Sequence, residues 1–129
     1  MHFRMKVNTL RRRLGAVACG CLAALSCGSP AAPSSDNPTI SIGSAGVAPT
    51  EVRIRAWSHV TFVNSDNRPH NILSDPVDLH TDCPSINVVG LLNPGESRST
   101  GALYLAQTCG FHDHNNPADA PLKGRIVVY

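Results

Sequence analysis

The chain has 129 residues with 11 basic and 9 acidic side chains, a formal charge of +2, and that length argues for one domain at most. The charge is unevenly placed: Arg4, Lys6, Arg11, Arg12 and Arg13 precede the first acid, Asp36, and from there on six bases face nine acids, a net −3. The positive surplus belongs to the leader, and no basic patch with interleaved aromatics remains downstream to read as a nucleic-acid surface.

Residues 1–27 read as a secretory signal. A basic segment ending at Arg13 is followed by the apolar run Leu14–Leu25, LGAVACGCLAAL. Twelve residues suit a signal-peptide core and fall short of the 20 or so that span a bilayer. Ala24-Leu25-Ser26-Cys27 resembles the lipobox of bacterial lipoproteins, with a small residue before the cysteine. Cys21, after Gly20, is the competing site. The resemblance implies lipidation of Cys27, several acyl chains and stable attachment to a membrane of the cell envelope. Residues 28–38, GSPAAPSSDNP, have no large apolar residue and read as a flexible tether.

Residues 39–129 read as the mature domain, large enough to bury one core. Thr39–Ile42 is a short β-prone entry. Glu51–Ala56 alternates, with Val52, Ile54 and Ala56 on one side and Glu51, Arg53 and Arg55 on the other, the period of a half-buried strand. Trp57 falls on the charged side and is left to pack against the tether or a partner. Val60–Val63 is a second strand, closed by the turn cluster Asn64–Asn67. His70–Leu73 is extended, residues 74–87 read as a loop, and Val88–Leu92 is apolar again. Asn93-Pro94-Gly95-Glu96 is a turn, Ser97–Leu105 a plausible strand, and residues 110–121 a second loop. Gly124–Tyr129 closes the domain, with Ile126 and Val128 on one face. No helix of convincing length lies outside the signal. Short strands at near-even spacing predict an all-β sandwich or Greek-key barrel.

Four histidines, His70, His80, His112 and His114, lie at or beside loops, and Cys109 joins them. Two imidazoles and one thiolate form the trigonal blue-copper ligand set. Arg68-Pro69-His70-Asn71-Ile72 after a strand, Cys109-Gly110-Phe111-His112 before the last strand, the turn Asn93–Ser97 between them and the closing Gly124–Val128 resemble the cupredoxins, plastocyanin-like blue copper proteins. The resemblance covers nearly all of residues 39–129. It implies a Greek-key β-sandwich of cupredoxin type that binds copper through His70, Cys109 and His112. It also implies a supporting role for Asn71, which would tie the two ligand loops together. His114, two residues past His112, could add a further imidazole. Leu122 stands where many members have a methionine, so the axial position would fall to water or a backbone oxygen.

Cys83 offers a second reading of the same residues. A Cys83–Cys109 disulfide would close a loop of 27 residues, worth about 3 kcal/mol in the chain-entropy model, and would remove the thiolate. An exported chain sits where such pairs oxidise. Two functions follow for a metal-binding protein or redox carrier rather than an enzyme. One is electron transfer with exported redox proteins. The other is copper capture or delivery to copper-handling proteins through a histidine-only site. A metal-free interaction domain is the third. A zinc site from His70, Cys109, His112 and His114 is chemically admissible, whereas a Cys109–His112 nucleophile lacks an evident orienting carboxylate apart from adjacent Asp113. His80, beside Asp82, reads as an exposed loop residue, and His59 as structural.

Overall fold

Two hydrogen-bonded sheets face each other across one apolar core in a computed structural model that describes residues 36–129. The strands are β1 (Thr39–Gly43), β2 (Gly46–Ala48), β3 (Glu51–Ile54), β4 (Thr61–Asn64), β5 (His70–Ser74), β6 (Gly90–Leu92), β7 (Ser97–Ser99), β8 (Thr108–Asp113) and β9 (Lys123–Val128). One sheet has the order β2-β1-β4-β7 and the other β3-β9-β8-β5-β6. The pairs β1·β4 and β3·β9 are parallel and the remaining pairs antiparallel. This is the all-β sandwich that the strand-and-turn pattern predicts. The signal reading of residues 1–27, lipidation of Cys27 and most of the tether lie outside the described residues.

The period-two signals place the core. Val52 and Ile54 of β3 are buried beside Ile126 and Val128 of β9, their register partners. Glu51, Arg53 and Arg125 point outward, and Glu51 pairs with both arginines. Phe62 of β4 and Phe111 of β8 meet edge-to-face between the sheets, ring centres 5.0 Å apart. Burying an isoleucine or phenylalanine side chain in this way contributes about 1.5–3 kcal/mol each. Leu122 is part of the same apolar core.

Several expected elements differ. β3 ends at Ile54, and Arg55–Ser58 forms a turn in which Trp57 takes a left-handed φ of 74°. Only Ser97–Ser99 of the expected strand at 97–105 is paired as a strand; beyond it, Leu103 makes an isolated bridge to Ser58. β2 is too short for its periodicity to show in sequence. Asp36, Asn37 and Pro38 carry tether composition yet are tied to the domain: Asn37 Oδ1 accepts from the His59 N–H at 3.0 Å and the Pro38 carbonyl accepts from the Thr61 N–H at 3.0 Å. The most consequential difference is β8. It runs through Cys109–Asp113, where a loop from residue 110 is expected, because Cys109, Phe111 and Asp113 alternate with Gly110 and His112 as a strand requires.

Candidate metal centre

β8 lies between β5 and β9, with Ser74 opposite Phe111 and His112 opposite both Leu73 and Lys123. Successive side chains of a strand point to opposite faces. Cys109, Phe111 and Asp113 therefore face the other sheet, and His112 faces outward. His112 lies three positions after Cys109, and an odd offset within a strand puts them on opposite faces. His70 shares the inner face, because Ile72, two residues on, is opposite Asp113.

The structure thus does not gather the expected His70, Cys109 and His112 set. Cys109 is joined to Cys83 in a disulfide, with Cα atoms 5.7 Å apart. A sulfur so bonded carries no thiolate to coordinate a metal. His70 is completely buried, with Nδ1 2.8 Å from Asp113 Oδ2 and Nε2 3.0 Å from Asp66 Oδ2. Both ring nitrogens are engaged by carboxylates, so neither is free to coordinate. The hydrogen bond from His70, then that from the Asn67 N–H, holds the Asp66 carboxyl below the usual carboxylate range. Burial pushes the Asp113 carboxyl up. Hydrogen bonds from the Asn71 N–H, His70, Asn116 and the Asn115 N–H together outweigh it and leave Asp113 low as well. Asn71 does tie the loops together, but through its backbone: its N–H donates to Asp113 Oδ1 at 2.9 Å and its carbonyl accepts from the His114 N–H at 2.7 Å.

A different cluster forms on the outer face. The segment after β5 folds over β8, anchored by Asp75 N–H to the Gly110 carbonyl at 3.0 Å. It brings His80 against His112 and His114, with ring centres 4.8–5.7 Å apart. One ligand atom from each of the three lies within 4.8 Å of the others. Three nitrogens around one ion at about 2.0–2.1 Å lie roughly 3.3–3.6 Å apart, so the rings must draw together by about 1 Å to hold one, and His114 is the exposed member of the three.

The second partners of these rings are already arranged. His112 Nδ1 is 2.7 Å from Asp75 Oδ1 and donates to it. Nε2, the acceptor nitrogen of the neutral ring in that tautomer, is buried and without a hydrogen-bond partner among the described residues. An uncompensated buried polar atom is costly, and a metal ion is one way to satisfy it. His80 donates from Nδ1 to the Ser74 carbonyl at 3.0 Å, which makes Nε2 the acceptor nitrogen of its neutral ring as well. His80 sits at a left-handed φ of 54°, and Asn87 Nδ2 holds its carbonyl at 2.9 Å. A carboxylate or carbonyl on the far nitrogen is the usual arrangement for a metal-binding histidine. Gly110 makes it sterically attainable, since a Cβ there would overlap the Asp75 carboxylate. Sequence reading placed His114 as an additional imidazole but left His80 as exposed and did not single out Asp75. The available signal was the pair His112 and His114 two positions apart at the end of a strand, together with an Asp-rich loop that carries His80.

No protein-family model matches the sequence, and no curated protein matches it. Solved structures do. The purple cupredoxin from Nitrosopumilus maritimus aligns over 71% of this chain and 99% of its own, at 20% identity and a TM-score of 0.56. The reduced auracyanin from Roseiflexus castenholzii aligns over 75% and 99%, at 19% identity and a TM-score of 0.57. The oxidised plastocyanin from Dryopteris crassirhizoma aligns over 70% and 99%, at 19% identity and a TM-score of 0.55.

The fold is that of the cupredoxins. Within this cupredoxin fold the inner position of His70 is bound up with two carboxylates, Cys109 is a cystine, and the unpartnered imidazole lies on the outer face of β8.

Proposed function

We propose that this chain is a copper-binding protein of the cell envelope that holds the metal at His80, His112 and His114, with Cys83–Cys109 as a structural staple. The observation that carries the reading is the buried, unpartnered Nε2 of His112, oriented by Asp75 and faced by two further imidazoles. Among divalent first-row metals an imidazole site favours copper by the Irving–Williams order, and the fold is one shared with the cupredoxins. Copper held by imidazoles supplies a centre that moves between Cu(I) and Cu(II). Asp75 fixes the His112 tautomer, the Ser74 carbonyl fixes that of His80, and exposed His114 gives access from solvent. Such a site suits capture of copper and its delivery to copper-handling proteins.

The test is to load the full chain with Cu(II) and record visible and electron paramagnetic resonance spectra. One Cu(II) per chain, weak ligand-field absorption and nitrogen hyperfine structure support the reading, with loss of the bound copper in His112→Ala. An intense thiolate-to-copper charge-transfer band would overturn it. That band would favour the second reading, one-electron exchange with exported redox proteins, supported by the fold shared with plastocyanin. Failure to retain copper against a mild chelator would leave the metal-free interaction domain.

A further inference from the structure

The end of the sandwich where the chain enters carries a cluster of large apolar side chains with no partner among the described residues. Trp57 is 72% exposed and Tyr104 54% exposed, and their rings lie 5.6 Å apart. Leu105 and Tyr129 are half-exposed beside them in sequence or in the backbone network. The Trp57 N–H donates to the Leu103 carbonyl at 2.8 Å, and the Ala56 N–H to the Tyr129 carbonyl at 2.9 Å. Trp57 is held at φ 74°, a region that bulky side chains rarely adopt. The backbone is thus strained at the residue that presents the largest apolar side chain to water. Backbone strain of this kind gathers where a side chain is positioned for use.

The same turn receives the chain from residues 1–35. Arg55 Nη1 lies 3.5 Å from Asp36 Oδ1, and the His59 N–H is bound by Asn37, so the attachment brackets Trp57 two residues to either side. Asp36 lies nine residues along the chain from Cys27, the expected lipidation site. Fully extended they reach about 30 Å.

We infer that Trp57, Tyr104, Leu105 and Tyr129 form a face that rests on the membrane surface in which the chain is anchored. The inference rests on lipidation at Cys27 and is independent of the metal site. Tryptophan and tyrosine favour the interface, where an apolar ring meets lipid while its polar edge stays hydrated. The short tether keeps the face at high local concentration against the bilayer, so weak insertion suffices. The orientation also places the histidine cluster. β8 starts at Thr108 near this face and ends at Asp113, about 17 Å further along a strand, so His114 points toward the aqueous side.

Trp57 is the one tryptophan of the chain and reports on its own surroundings. The full chain, lipidated by expression in a bacterium, is reconstituted into vesicles of phosphatidylethanolamine and phosphatidylglycerol, with and without brominated acyl chains. Bromine should quench Trp57 emission by more than half. In the double variant Tyr104→Ser, Leu105→Ser the quenching should fall at least twofold while the protein still floats with the vesicles and keeps its melting temperature. Equal emission in brominated and plain vesicles overturns the inference, whether or not the variant folds. So does a chain that fails to float with vesicles, and so does emission that changes with protein-to-lipid ratio, which would make a second copy of the chain the occupant.

Discussion

His70 and His112 sit on neighbouring strands, and both rings are wholly buried, yet the structure gives them opposite characters. His70 has a carboxylate at each nitrogen and is closed to further bonding. His112 has a carboxylate at one nitrogen and no partner at the other among the described residues. Burial alone therefore says little about what a histidine does. The number of acceptors around the ring decides whether it is a structural strut or a ligand. Here that number follows from the pleat, which turns His70 toward Asp113 on the inner face and His112 toward the covering loop.

The contrast can be broken from either side. Removing the ring with His70→Ala leaves Asp113 wholly buried without its histidine partner. Breaking a buried pair by removing one member costs about 3–5 kcal/mol, to be read by urea unfolding. Copper should still bind at one per chain, because none of His80, His112 and His114 is touched. Replacing both Cys83 and Cys109 by serine should lower stability by about 3 kcal/mol, as expected for a loop of this length, with the copper spectrum unchanged. A changed spectrum would return Cys109 to the ligand set. Asp75→Asn removes the carboxylate behind His112 and should weaken copper affinity about 10–100-fold, the usual effect of losing such a partner, measured by competition with a chelator of known affinity. Gly110→Ala should act in the same direction by displacing Asp75 without touching any ligand.

The smallest effect is on the acid side. Asp66 and Asp113 have carboxyls held below their ordinary range. A carboxylate whose folded pKa is depressed contributes stability above its unfolded pKa, about 3.9. That contribution is lost as pH falls through the folded value. Unfolding free energy measured from pH 6 downward should decline below about pH 4. Asp66→Asn should flatten the decline. An unchanged profile in that variant would mean that Asp66 is not held by His70.

Much of the fold is legible in the sequence because alternation is strong where one face is buried. Glu51–Ile54 and Gly124–Val128 read as strands for that reason, and Asn93–Glu96 as a turn because Gly95 takes a φ of 82°. The site is less legible. Reading a loop from Gly110 hides the strand through Asp113, and with it the rule that separates Cys109 from His112. The Pro-His-Asn and Cys-x-x-His patterns carry a family expectation, but they do not encode which face each residue takes. The alternative pairing of Cys83 with Cys109, weighed from the redox compartment alone, is the pairing the structure contains. His80 reads as an exposed loop residue because its proximity to the other two depends on a loop that doubles back over β8, a contact with no local signature.

β1 is an interior strand, gripped by β2 on one side and by parallel β4 on the other, and it is the first strand after Asp36. Inter-strand hydrogen bonds run across the strand direction. A pull along the chain at Asp36 therefore loads both ladders in shear, many bonds at once, instead of unzipping them one by one. The sandwich in this way resists mechanical extraction of its first strand by a pull at its N-terminal end.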